Sequence, residues 1–513
     1  MHLSSKIVRN SIANYGGNLA GLVVGFLLTP FLVHSLGDSQ YGAWVLVGSL
    51  GSYFWLLDFG LGASVTSFVS RYRATGEQER LNSVVVSSIA LLSVVGLLSL
   101  AGSVALALTV DLFFHLPPEV VPEVRAMIYV TGIALTISFP LGVFGGVLRG
   151  YQRYDLVNLV GATSTVANAL LSVLVVKMGF GLVGLSAVGL LTNLMVGGGR
   201  LALAMRLDRG LRVRPFLARP STLREIAGFS VWVFVINVSV QVVYRTAPVI
   251  ISAILSVAQV TPYAIANSLA QYLRRFVDPI LAVLLPAYSE LSAVQDSDRT
   301  RQLFFEASKA VGAVSMPMAM GLMLLGKPFI GLWMGPGYEW AGTLLYLFVP
   351  PIFLSFLVAA GDKLLWAKGK VRVNSYVALA DTVLNLSLSI GLAHVLGLVG
   401  VAMAPLLSVM VTNGLWLLPY ICREAGVPVR VYLSSVVRPL LIAAAPSTAA
   451  VLALMWLVGT GGYLQIALLG ASHVAVYWTV FFLAASKEER AGWSAVVRNA
   501  VAPSRAGKVG GLA

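Results

Sequence analysis

Long apolar stretches dominate this chain, and short polar or basic segments interrupt them at intervals of roughly one membrane thickness. A hydrocarbon core about 30 Å thick takes about 20 apolar residues in helical form. By that measure fourteen spans are predicted, near 11–33, 43–68, 83–110, 126–148, 156–176, 181–205, 226–255, 262–289, 303–333, 341–362, 373–394, 397–421, 437–458 and 463–485. Lipid leaves backbone polar groups no partner but their own helix or a closed barrel, and spans of this length predict helices. The expected fold class is an all-α polytopic membrane protein. The first span follows a short basic segment, Lys6 and Arg9, as a signal peptide would. Its apolar run is too long for one, no small-x-small cleavage site follows and further spans come after, so it is expected to be retained.

Composition agrees. The chain has 513 residues, 58% apolar and 11% charged, with a mean hydropathy of +0.86. A soluble domain has about 25% charged residues. A soluble multidomain enzyme, a disordered chain and a disulfide scaffold are excluded. The single cysteine, Cys422, allows neither an internal disulfide nor a thiolate metal cluster.

The net charge of +14 would suggest nucleic acid in a soluble protein, but here its distribution follows the spans. Odd-numbered connections (34–42, 111–125, 177–180, 256–261, 334–340, 395–396, 459–462) are short and poor in Lys and Arg. Even-numbered connections and both termini are basic, as at Arg71, Arg73 and Arg80, at Lys368, Lys370 and Arg372, and at the seven arginines between Arg200 and Arg224. On this count 29 of the 35 basic residues share one side, three (Arg125, Lys177, Lys327) take the other, and three lie within spans. The bias predicts a multi-pass membrane protein with both termini in the cytoplasm. It accounts for the charge without nucleic acid, and some attraction to anionic lipid is expected.

Spans 1–6 and 7–12 repeat one another. Asn14 and Asn18 match Asn237 and Gln241 at an offset of 223, Tyr41 matches Tyr263 at 222, and Asn168 matches Asn385 at 217. Gly181 and Gly184 match Gly397 and Gly400 at 216. Six spans is an even number, so the halves share an orientation and should relate by a pseudo-twofold axis along the membrane normal, with a site between them near the midplane. The expected organisation is a six-helix bundle at 1–206, a basic cytoplasmic linker at 207–224, a second six-helix bundle at 225–422, helices 13 and 14 at 434–485, and a basic tail at 486–513.

Ionised side chains in lipid cost about 2.5–3.5 kcal/mol on insertion scales and normally face a cavity or a partner. Span 8 places Tyr263, Asn267, Gln271, Arg274 and Asp278 on one helical face, flanked by Arg275. Span 7 carries Asn237, Gln241 and Arg245, with Tyr244 beside them; span 1 carries Asn14 and Asn18. Span 2 carries Trp44, Gly48, Gly51, Trp55, Asp58 and Gly62 in helical register. These stripes are expected to line a central, modestly cationic cavity. The plainer readings are an Arg–Asp pair that seats a broken helix, snorkelling side chains and close packing at glycine. Arginine suits phosphate, and Asn, Gln and aromatic rings suit sugars. Asp58 and Asp278 are candidates for ion coupling or helix locking.

Other features carry no chemistry. The run Gly321–Lys327 begins like a phosphate-binding loop, but Pro328 stands where Ser or Thr is needed. His34, His115, His394 and His473 show no ligand spacing, and Asp381 and Glu290 are lone acids. No catalytic constellation can be built, since the longest outward connection is only 111–125. The expectation is a transporter without metal or cofactor, driven by an H+ or Na+ gradient or by the membrane potential.

The segments LGDSQYGAW (36–44), LLDFGLG (56–62) and LRGYQRYDLVN (148–158) resemble bacterial oligosaccharide and polysaccharide flippases. These form the polysaccharide-transport branch of the multidrug/oligosaccharidyl-lipid/polysaccharide (MOP) exporter superfamily. The resemblance implies a MATE-like pseudo-twofold fold of fourteen helices, two of them C-terminal additions similar to those of lipid II flippases. It implies export of a polyprenyl-pyrophosphate-linked glycan from the cytoplasmic to the outer leaflet, for cell-surface polysaccharide biosynthesis. Arg245, Arg274 and Arg275 sit where the family's cavity arginines are expected. Membrane lipids, a polysaccharide polymerase and glycosyltransferases are the partners it implies. The rival readings are a cation-coupled multidrug antiporter of the same superfamily, a lipid II flippase, a membrane glycosyltransferase and a purely structural membrane protein.

Overall fold

The structure is a computed structural model and describes residues 2–58, 61–214, 238, 241–242 and 245–484, without the side chains of 2–20 and of Asp58. Among the described residues the chain is helical, with no strand. Twelve helical stretches are long and apolar enough to cross a membrane. The chain is a multi-pass membrane protein. Two places separate this number from the fourteen expected spans. Spans 1 and 2 share one stretch, and most of span 7 lies outside the described residues, leaving Arg245–Ile254.

Helix α1 (His2–Phe54) breaks at Gly37, whose φ of 75° is left-handed, a conformation glycine adopts without steric cost. Span 2 is not one helix. It ends at Phe54, tightens into a 3-10 turn over Trp55–Asp58 and resumes as α2 (Leu61–Thr75). The single-face register expected from Trp44 to Gly62 therefore does not hold past Trp55. Short 3-10 pieces of this kind interrupt a helix under local strain or at a hinge. There follow α3 (Gln78–Phe113), α4 (Val121–Gly150), α5 (Tyr154–Lys177), α6 (Gly181–Leu207) and the short α7 (Arg245–Ile254). Next come α8 (Val260–Ala282), α9 (Leu284–Ala293), α10 (Ser297–Met334), α11 (Leu345–Ala367) and α12 (Val371–Leu396). Helix α13 (Leu398–Val409) passes through a π-helical stretch, Met410–Leu417, into α14 (Leu418–Glu424). The last elements are α15 (Val429–Tyr432), a π-helical turn at Leu433–Val437, α16 (Arg438–Val458) and α17 (Tyr463–Ala484).

The chain forms two compact units, one of Met1–Ser268 with Ala378–Ser408, the other of Leu269–Val377 with Val409–Ala513. In the first, α2, α3, α4 and the end of α6 enclose Val65, Val69, Leu81, Phe139 and Val147. A second cluster joins α1, α3, α4 and α6 through Leu46, Val110, Val124, Ile128 and Leu182, with Val257. Helices α3 and α4 cross closely. The Thr136 hydroxyl donates to the Gly96 carbonyl at 3.0 Å, and a Cβ on Gly96 would stand 2.9 Å from the Thr136 backbone. Small residues at a crossing let helices pack where lipid supplies no hydrophobic drive.

The sequence repeat has a counterpart in this unit. Asn168 on α5 donates to Thr192 on α6 at 3.1 Å, and Asn385 on α12 donates to Ser408 on α13 at 3.4 Å. Gly181 and Gly397 both adopt positive φ, 51° and 59°. The segments matched around Tyr41 and Tyr263 touch: Thr261 donates to the Asp38 carbonyl at 2.7 Å, and both tyrosines are buried.

The second unit packs α10, α11, α16 and α17 around Ala313, Met316, Leu440, Tyr477 and Phe481. His473 on α17 is buried, and its Nε2 is 3.1 Å from the Pro317 carbonyl of α10. It ties the two helices together. Large apolar side chains such as Leu27, Leu98, Leu112, Leu415 and Trp456 are exposed, as lipid-facing residues should be.

At the end of α6 the expected linker is partly fastened. The Asp208 carboxylate accepts from Gln78 Nε2, Tyr151 Oη and the Gly210 amide, each at 2.8 Å. Asn82 donates to the Gly210 carbonyl and accepts from the Arg212 amide. The remainder of the linker and the C-terminal tail lie outside the described residues.

Candidate functional site

Helix α8 carries the polar stripe as one continuous helix. Its packed side is apolar: Ile265, Ala266, Leu269, Ala270, Leu273 and Val277 are buried. Asn267, Gln271 and Arg274 lie on a different face and are half-buried, and Arg275 and Asp278 are exposed. The periodicity that separates the two faces is the ordinary helical one. Pro279 removes a backbone donor near the end of α8, and the chain turns at Val283 into α9. Asn267 belongs to the first unit, and Gln271, Arg274, Arg275 and Asp278 belong to the second.

The remaining predicted residues are spread more widely. Tyr263 belongs to the buried core of the first unit rather than to the open stripe. Arg245 is exposed at the start of α7. The Gln241 amide donates to the Ser52 carbonyl near the end of α1 at 2.7 Å. Tyr53 beside it hydrogen-bonds Thr246. Asn237 and Tyr244 lie outside the described residues, as do the side chains of Asn14, Asn18 and Asp58.

In the second unit the structure adds three residues to the stripe. Asp278 lies within reach of the charges of Arg274 and of Lys363 on α11. Lys363 Nζ is 3.4 Å from the Asp362 carboxylate, whose other oxygen accepts from Asn374 Nδ2 on α12 at 2.6 Å. The Arg275 guanidinium stands 5.8 Å from the Tyr272 ring centroid. Three cations and two carboxylates thus share this part of the unit. Such a set can bind an anion by exchanging an internal carboxylate for the ligand's oxygens. The sequence reading assigned Lys363 to the connection after span 10. In the structure α11 runs on to Ala367, which keeps Asp362 and Lys363 inside the helix. No group of His, Cys, Asp and Glu that could hold a metal occurs among the described residues.

Residues 58–342 match the family model described as polysaccharide biosynthesis protein, more than half of the chain, and the protein belongs to that family. It is 23% identical over 447 residues to the uncharacterized membrane protein EpsK of Bacillus subtilis (strain 168), covering 85% of this chain and 87% of that one. It is 23% identical over 413 residues to the probable low-salt glycan biosynthesis flippase Agl15 of Haloferax volcanii, covering 79% and 82%. Among solved structures, an inward-facing MATE family multidrug resistance transporter of the MOP superfamily superposes with a TM-score of 0.69 at 16% identity, over 79% of this chain and 94% of that one. The lipid II flippase MurJ, in an inward closed conformation, superposes with a TM-score of 0.63 at 14% identity, over 93% and 99%. The fold is therefore like that of these two solved transporters, and family and fold together agree with the resemblance drawn from the sequence. Those of these relatives and solved neighbours that carry a functional name are named as flippases or transporters.

Proposed function

We propose that this protein flips a polyprenyl-pyrophosphate-linked oligosaccharide from the cytoplasmic to the outer leaflet of the inner membrane, for cell-surface polysaccharide biosynthesis. The observation that carries the reading is the mid-helix placement of Arg274 and Arg275 on the polar side of α8, in a chain of the polysaccharide biosynthesis family. Two guanidinium groups at that depth have little use in lipid and suit a pyrophosphate. In this reading fourteen spanning helices form two six-helix bundles and a C-terminal pair, with both termini cytoplasmic. The bundles alternate access to a central cationic cavity. Arg274 and Arg275 hold the pyrophosphate, Arg245 passes it outward, and Asn14, Asn18, Asn237, Asn267 and Gln271 meet the sugars. Asp58 couples the cycle to an H+ or Na+ gradient or to the membrane potential, or locks helices together. A polymerase and glycosyltransferases act before and after it on the same glycan.

The test is glycan export in cells carrying Arg274→Ala with Arg275→Ala, with the variant's membrane level measured alongside. Export should be lost while the protein stays in the membrane. Undiminished export by the double variant overturns the assignment. Reconstituted vesicles offered the glycan on a polyprenyl pyrophosphate, lipid II, or a cationic dye then separate the three cargo classes.

A further inference from the structure

Arg149 and Arg200 form a second basic site, away from the α8 stripe. Arg149 lies in the last turn of α4, and Arg200 lies two turns before the end of α6. The Arg200 side chain runs along α4 at Gly145, one turn before Arg149 on the same face. A Cβ on Gly145 would stand 3.4 Å from Arg200 Nη1 and 3.5 Å from its Cδ. Arg149 is close enough for its like charge to act on Arg200. Arg200 Nε is buried and has no hydrogen-bond partner among the described residues. The acids of the adjoining connections are already engaged: Asp155 accepts from Nε and Nη2 of Arg153, each at 3.0 Å, and Asp208 accepts from Gln78, Tyr151 and Gly210.

Two half-buried guanidinium groups brought together with no carboxylate partner among the described residues are costly as they stand. Arg149 alone has an ordinary explanation, since a cation in the last turn offsets the helix dipole. That explanation does not bring Arg200 against the same turn. A single anion with several acceptor oxygens satisfies both groups, and phosphate fits the guanidinium fork in bidentate fashion. The site lies at the ends of two spanning helices, on the side whose connections are basic, so the phosphate that reaches it is borne by a lipid.

We propose that Arg149 and Arg200 form a binding site for the phosphate of a lipid headgroup at the cytoplasmic membrane boundary, between α4 and α6. Two sources share this chemistry, an anionic phospholipid of the cytoplasmic leaflet and the polyprenyl pyrophosphate of the cargo proposed above. The site itself does not depend on that cargo.

The test uses the full chain, purified and delipidated in neutral detergent. It is titrated with short-chain phosphatidylglycerol, a polyprenyl pyrophosphate or a neutral diacylglycerol, and bound adducts are read by native mass spectrometry. Wild-type protein should hold at least one phosphate-bearing probe and not the diacylglycerol. Arg200→Gln and Arg149→Gln should each weaken that binding about tenfold or more, the weight of one charge-assisted hydrogen bond. Arg200→Lys should weaken it less, and Arg209→Gln, on the exposed turn after α6, should leave it unchanged. Whichever probe responds identifies the source. Should Arg200→Gln fail to fold, Arg149→Gln at the helix end decides. The proposal is overturned if wild type binds neither probe, if the Arg149 and Arg200 variants bind as wild type does, or if Arg209→Gln loses as much. Loss of the pyrophosphate probe in Arg274→Ala but not in Arg200→Gln, with phosphatidylglycerol binding also unchanged in Arg200→Gln, overturns this site and upholds the cargo reading.

Discussion

Asn168 donates its side-chain amide to the Thr192 hydroxyl at 3.1 Å, and the same bond recurs one repeat later between Asn385 and Ser408 at 3.4 Å. Each bond ties the two helices of a hairpin whose tight connection holds a positive-φ glycine, Gly181 or Gly397. Side-chain hydrogen bonds between spanning helices contribute about 0.6 kcal/mol on average. Asn168→Ala and Asn385→Ala should each lower stability in detergent by about that amount. The two pairs share no residue, so the double variant should lose about the sum. Unfolding curves unchanged by either substitution would show that the bonds do not tie the hairpins.

Gly42 stands against the backbone of Val257, where the two matched segments of the first unit meet. A Cβ there would stand 2.1 Å from the Val257 carbonyl oxygen, and the Val257 backbone has no rotamer with which to yield. Gly42→Ala should therefore destabilise by about 1–3 kcal/mol, as overpacking does. It should also separate Thr261 from the Asp38 carbonyl, to which it donates at 2.7 Å. Cross-linking between cysteines placed at 38 and 261 should fall in the Gly42→Ala background. Equal cross-linking and equal stability would mean the backbone moves aside freely.

Hydropathy and loop charge made the helices legible, because a span needs only length and apolar content. The repeat was legible at Asn168 and Asn385, where identical residues make matching bonds. The break at Trp55–Asp58 was not, because hydropathy does not register a change from α to 3-10 geometry. The polar side of α8 followed from its periodicity. The burial of Tyr263 did not, since a tyrosine on a polar stripe reads alike whether its ring faces outward or into the core. Lys363 fell just past the end of span 10 at 362, because a charge at a span's end looks like a connection until the helix is seen to continue. Arg200 was counted only as a topology signal, and nothing in the sequence indicates that it crosses Gly145.

The Asp208 junction gives a prediction about pH. The Tyr151 hydroxyl is pushed above the usual tyrosine range, by burial first and then by its hydrogen bond to Asp208 and that residue's charge, with Arg73 opposing. The folded state therefore holds this proton more tightly than the unfolded state. The contribution is complete below the unfolded tyrosine value of about 10 and is lost as pH rises through the higher folded value. Alkaline difference spectra should show one fewer late-ionising tyrosine in Tyr151→Phe. In Asp208→Asn the same tyrosine should titrate earlier, because the carboxylate's charge is gone while the burial remains. No change in Asp208→Asn would leave burial as the whole cause.

Lys363 is the residue whose substitution discriminates most sharply between a binding site and a structural ion pair. Asp362 holds it at 3.4 Å and is itself held by Asn374 at 2.6 Å. The charge of Lys363 also reaches Asp278. If Lys363 only neutralises Asp362, then Lys363→Gln with Asp362→Asn should restore whatever Lys363→Gln loses. If Lys363 joins Arg274 in holding the pyrophosphate, the double variant should stay impaired. Glycan export should fall about tenfold in Lys363→Gln, the loss of roughly one charge-assisted contact. Lys363→Arg should keep most of it, since the charge is retained. Asp278→Asn should bind a polyprenyl pyrophosphate more tightly than wild type, because a carboxylate competing for Arg274 and Lys363 is removed. Weaker binding in Asp278→Asn, together with full rescue by the Asp362→Asn pair, would assign Lys363 to the scaffold alone.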